Sequence, residues 1–124
     1  MFMKQLGHMD VVNLVGIVFV EGGKSLQLEV VDSLPPHNTT FLTFKNTFSV
    51  MLHQTRDEGF PFIICELTWR SIAPEEKGRI LADLAYPFFD SKEDPLIQEE
   101  QLIITRLEGA ICGTILSEEV IIQI

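Results

Sequence analysis

Apolar residues alternate with polar ones along most of this chain, and the places where alternation fails carry as much information as the rest. Leu26, Leu28 and Val30 interleave with Gln27 and Glu29, the period of a strand with one wet face. Leu42, Phe44, Phe48, Val50 and Leu52 occupy even positions, with Thr43, Lys45, Thr47 and Ser49 between them. Asn46 interrupts that face and marks either a bulge or a turn between two shorter strands. Phe60 to Ile72 (FPFIICELTWRSI) begins with consecutive apolar residues and ends in alternation. This pattern predicts a strand buried on both faces at one end and half-buried at the other. Leu14 to Val20 is apolar on both faces and reads as an inner strand, with residues 1–10 as a loose lead-in.

Turn chemistry separates these runs. Glu21-Gly22-Gly23-Lys24 predicts a two-residue Gly-Gly hairpin turn. Asp32 to Thr39 carries two prolines and is a loop. Gln54 to Gly59 is a polar turn, which predicts that the strands on either side pair as a second hairpin. One helix is expected at about 74–86. Pro74 and the acids Glu75 and Glu76 suit its first turn, Ile80, Leu81 and Leu84 form its apolar stripe, and Pro87 stops it. Asp90 to Pro95 is a charged loop, followed by a short helical turn over 96–101. Leu102 to Arg106, Ile111 to Leu116 and Val120 to Ile124 are again strand-like, the last a paired strand inside the fold. The expected fold is α+β and mostly antiparallel β, with six to eight strands in a sandwich or partly open barrel and one main helix. At 124 residues the chain is expected to form a single globular domain, 1–124.

Charge narrows the classes of partner. Eighteen Asp plus Glu against nine Lys plus Arg give a formal net charge of −9. That balance disfavours nucleic acid and anionic membranes, whose phosphates require clustered Lys and Arg. Solubility alone accounts for such an excess; a basic protein partner is the functional alternative. Val11 to Val20 is too short to span a bilayer and lacks signal-peptide flanks, so a cytoplasmic location is expected. Cys65 and Cys112 lie in apolar runs without C-x-x-C spacing and read as buried free thiols.

Candidate chemistry is sparse. His53 is followed within five residues by Arg56, Asp57 and Glu58, and a turn there could join His53 to a carboxylate as an acid–base pair. A strand-end histidine beside a solvated turn explains the same residues. Asp90, Glu93 and Asp94 offer oxygens but lack the glycine of a calcium loop, and no metal or cofactor is expected. Gly22-Gly23 and Gly109…Gly113 match no phosphate-binding spacing. Together with Glu99 and Glu100, the acids Asp90, Glu93 and Asp94 form the expected partner-binding patch, provided that folding gathers them on one side.

Three stretches, FLTFKNTFSVMLHQTRDEG, ELTWRSI and GAICGTILSEEVIIQI, cover about half the chain and resemble small, mostly uncharacterised bacterial β-rich proteins. Some of those serve as immunity proteins that neutralise toxins. The resemblance implies a non-enzymatic interaction protein that covers a basic partner sterically and electrostatically; it assigns no functional residue. Two other functions stay open. One is a small-molecule-binding domain or enzyme with an apolar pocket between sheet and helix, in which the nine Phe and His53 would take part. The other is a homo-oligomer assembled through strand edges.

Overall fold

A computed structural model describes residues 6–55, 59–84 and 101–124. Among the described residues six antiparallel strands run β1 (Leu6–Val20), β2 (Ser25–Asp32), β3 (Thr39–Gln54), β4 (Phe62–Ile72), β5 (Leu102–Gly109) and β6 (Ile111–Gln123). They pair in the ring order β1-β2-β3-β6-β5-β4, and β1 closes on β4. The expected sandwich or partly open barrel is therefore a closed ring, with six strands, the lower end of the expected range. A 3₁₀ turn at Pro74–Glu76, where the helix was expected to start, leads into α1 (Lys77–Asp83), the one α-helix among the described residues.

Inside the ring, alternate residues of all six strands make one apolar core, with Leu14, Leu28, Leu42, Phe44, Ile64, Leu67, Ile103 and Ile115 among its most buried members. A second, smaller cluster lies on the outer surface of β4, β5 and β6. There Ile72, Leu102, Ile104 and Leu116 are covered by Ile80 and Leu81 of α1, with Phe48 and Leu84 at its margin. The described part of the sheet–helix interface is made by these apolar side chains. α1 is anchored at its entry by Glu76. Its carboxylate accepts from the Ala73 backbone N–H at 3.1 Å and pairs with Arg70 and Arg79.

Those contacts, the Ala73 N–H first and Arg70 second, hold the Glu76 carboxyl below its ordinary 4.5. A depressed carboxyl pKa contributes stability that is complete above the unfolded value and is lost as pH falls through the folded one. Glu76→Gln is therefore expected to melt below wild type at neutral pH, and the gap should narrow steadily as pH drops below 4.5. A gap independent of pH in thermal melts would show that the carboxylate's charge is immaterial. In the same helix Gly78 faces open space. Gly78→Ala is expected to raise stability by about 0.5–1 kcal/mol, as an exposed helical Gly costs that much against Ala. A lower melting temperature would overturn this.

Several sequence expectations are corrected by the strand pairing. β1 begins at Leu6, so residues 6–10 are paired strand and not lead-in. The β1–β2 connection is a four-residue loop, because Val20 pairs with Ser25; Glu21, Gly22 and Gly23 all have positive φ, at 54°, 69° and 90°. The second hairpin does not form. β3 stays one 16-residue strand and pairs with β6 from Phe41↔Gln123 to Gln54↔Ile111, while β4 pairs with β1 and β5. Asn46, at φ 54°, and a register shift between Thr47 and Ser49 mark bulges inside β3. They turn Phe48 to the helix-covered outer cluster, while Phe44 stays in the inner core. The expected helical turn at 96–101 and the loop at 90–95 lie outside the described residues, save Gln101, which is not helical.

Candidate functional site

The outer surface of β1, β4 and β5 carries the most unusual arrangement of side chains. Met9, Val12 and Leu14 of β1 point into the core, so Asp10 and Val11 fall consecutively on the outside. β4 does the same at the facing position. Ile64 and Leu67 are buried, while Cys65 and Glu66 are both exposed. A bulge explains each slip of phase. Val11 has φ 34°, a left-handed value that is rare for a β-branched residue, and the β4–β5 register shifts between Ile64 and Glu66. The two slips compensate, and the β1–β4 register runs on unchanged from Asp10↔Glu66 to Val12↔Ile64.

The consequence is electrostatic. Asp10 lies directly across from Glu66, and Glu66 directly across from Glu108 of β5. All three are exposed, so a row of carboxylates crosses three neighbouring strands on one face. Opposed residues place their Cβ atoms only about 4.5–5.5 Å apart, and like charges so placed destabilise a sheet. Asp10 has a polar neighbour in His8, whose Nε2 is 2.9 Å from its Oδ1. Among the described residues neither Glu66 nor Glu108 has an ion-pair partner. Arg106, in the next row beside Thr68, pairs with neither.

Apolar surface adjoins this row. Val11 is 46% and Ile63 44% exposed, and Cys65 is exposed between them and Glu66. The expectation of buried thiols is corrected: Cys65 is exposed and Cys112 half-buried, and both are free. Cys65 is outside because it alternates with the buried Phe62 and Ile64, although the run appears continuously apolar, and the bulge then keeps Glu66 on the same side. On the β2 side of Asp10, a groove of about 440 Å³ is lined by Asp10, Val11, Asp32, Ser33, Leu34 and Pro35. It sits where β2 leaves β1. Val12↔Asp32 is the last pair of their ladder, after which the Ser33 backbone N–H and hydroxyl both donate to the Val11 carbonyl, at 3.4 and 2.7 Å.

Of the residues singled out by sequence, His53 is exposed on β3, with Cys112 of β6 as its cross-strand neighbour. Asp57 and Glu58, its proposed acid–base partners, lie outside the described residues, as do Asp90, Glu93, Asp94, Glu99 and Glu100. Nothing local in the sequence links Asp10, Glu66 and Glu108, since Asp10 and Glu66 lie 56 positions apart in the chain. Only strand register brings them together. Among the described residues no group of His, Cys, Asp and Glu is arranged to hold a metal ion. No described helix is long and apolar enough to cross a membrane.

No protein-family model matches the chain, and no curated protein matches it in sequence. Among solved structures it is similar to the crystal structure of an uncharacterised protein from Neisseria gonorrhoeae. The two share 15% sequence identity at a TM-score of 0.61, over 98% of this chain and 99% of the other. At that identity the likeness is one of fold, consistent with the resemblance to small uncharacterised bacterial β-rich proteins.

Proposed function

We propose that this chain is a non-enzymatic interaction protein that binds a basic protein through the outer face of β1, β4 and β5, in the manner of an immunity protein. The observation that carries this reading is the row Asp10–Glu66–Glu108. A row of opposed carboxylates with no Lys or Arg paired to it among the described residues costs folding stability. A cationic surface supplied by a partner would offset that cost on binding. Exposed Val11 and Ile63 beside the row supply the apolar contacts that charge alone lacks, because interfaces derive most affinity from desolvated anchors and use charge for steering and register. The acids at 90–100 proposed from sequence would extend the same electrostatic character.

The test uses the double variant Glu66→Lys/Glu108→Lys as bait beside wild type in lysate of the native host. Wild type is expected to retain a basic protein that is released as salt rises, and the variant to lose it. The single variant Glu66→Lys should melt no lower than wild type, and higher at low salt, because it turns both like-charge pairs of the row, each worth a few tenths to about 1 kcal/mol, into opposite-charge pairs. Equal capture by both baits would refute the assignment of this face.

A further inference from the structure

We propose that the partner's contact segment is an extended strand carrying Lys or Arg, and that it adds to the edge of β1 that no described strand occupies, beside the Asp10–Asp32 groove. This inference rests on the basic-partner reading and specifies how the partner is held. Although the ring is closed, its strands are strongly staggered. Only Val12, Asn13 and Leu14 of β1 pair on both sides, with β2 and with β4. Below them Leu6 to Asp10 pair with β4 alone, and among the described residues no strand occupies their other edge. In a strand, backbone N–H and C=O groups on an unpaired edge are a template for another strand.

The departure of β2 makes room for such a strand. After Asp32 the chain turns away through Leu34 to His37, whose N–H donates to the Leu34 carbonyl at 3.0 Å, and Asp32 N–H is taken by Asn38 O. The groove left beside the β1 edge is bounded by the carboxylates of Asp10 and Asp32 and by the apolar Val11, Leu34 and Pro35. Side chains of an added strand alternate between two faces. A segment alternating basic and apolar residues would set its cations against the two carboxylates and its apolar residues against Leu34 and Pro35. Main-chain pairing provides affinity in such additions, and alternate side chains provide selectivity. An acidic segment is excluded by the same two charges.

The probe is a capped heptapeptide, Val-Lys-Val-Lys-Val-Lys-Val, titrated against the full chain at low salt. It is expected to bind, to slow amide hydrogen exchange within residues 7–10 at least tenfold at saturation, and to weaken at least tenfold with Asp10→Lys/Asp32→Lys. A Glu-for-Lys peptide should not bind. Two further peptides carry N-methyl groups on alternate residues, one set on each edge of the strand. One should bind like the parent and the other at least tenfold more weakly. Equal binding of both isomers, with exchange at residues 7–10 unchanged, would remove strand addition while leaving the basic-partner reading intact. Absence of peptide binding, with capture still dependent on Glu66 and Glu108, would do the same. Loss of that dependence would overturn the reading and this inference together.

Discussion

Gly113→Ala is expected to destabilise the protein by about 3 kcal/mol or more, among the largest effects available to a single methyl group. Gly113 lies on β6 where that strand pairs on both sides, with Leu52 of β3 and Leu107 of β5. A Cβ there would land on the Met51 carbonyl oxygen and lie 2.9 Å from the Leu52 Cα. These are backbone atoms of a paired strand, which cannot rotate aside as a side chain would. The φ of 155° adds strain for any residue with a side chain. Relief requires β3 and β6 to part along the longest ladder in the ring. Urea or thermal unfolding measures the effect directly. A melting temperature within a degree or two of wild type would show that the β3–β6 approach at Gly113 is not as close as described.

Trp69→Ala is expected to cost about 3–5 kcal/mol, the usual range for removing a large buried aromatic. Trp69 is 2% exposed, and its indole lies over Gly7, its partner on β1, where any side chain would collide with the ring. Trp and Gly therefore fill one volume between two strands, and the substitution would open a cavity at the seam where β1 closes the ring. Trp69→Phe separates packing from polarity. The indole Nε1 is buried without a hydrogen-bond partner among the described residues, so losing that N–H carries little penalty. The Phe variant is expected to lose less than about 1.5 kcal/mol, because most of the apolar volume stays. Equal losses in the two variants would place the stabilisation in the N–H and would contradict a packing role. Gly7→Val should behave like Trp69→Ala in the same unfolding assay.

Much of the fold is legible in the pattern of residues. β2 follows from the strict alternation of Leu26, Leu28 and Val30, all buried. The helix follows from Pro74, the acids after it and the Ile80, Leu81 stripe, because each end of a helix has its own chemistry. The Phe60 to Ile72 run was legible as a strand but not in its faces. Its consecutive Phe62, Ile63, Ile64 and Cys65 suggest burial on both sides, whereas Ile63 and Cys65 are exposed. Those four residues alternate, with Phe62 and Ile64 inward, and the bulge that follows changes the side of every later residue; a bulge has no composition of its own. Phe48 shows the same effect in β3, where it serves the outer cluster although its spacing from Phe44 predicts the inner one.

What the chain by itself determined is local: which runs form strands, where the helix starts, and an acidic balance of charge, whereas strand ends moved, β1 starting at Leu6 and the expected strands 111–116 and 120–124 joining as β6. Hydrophobic period, capping and turn residues act within a few positions, so they can be read along a line. Only the tertiary structure decided that β3 turns from β4 to β6, that β1 closes the ring, and that Asp10, Glu66 and Glu108 stand side by side. Those outcomes depend on register between strands distant in sequence, and register is selected by the summed burial of a whole face. No single segment carries that sum.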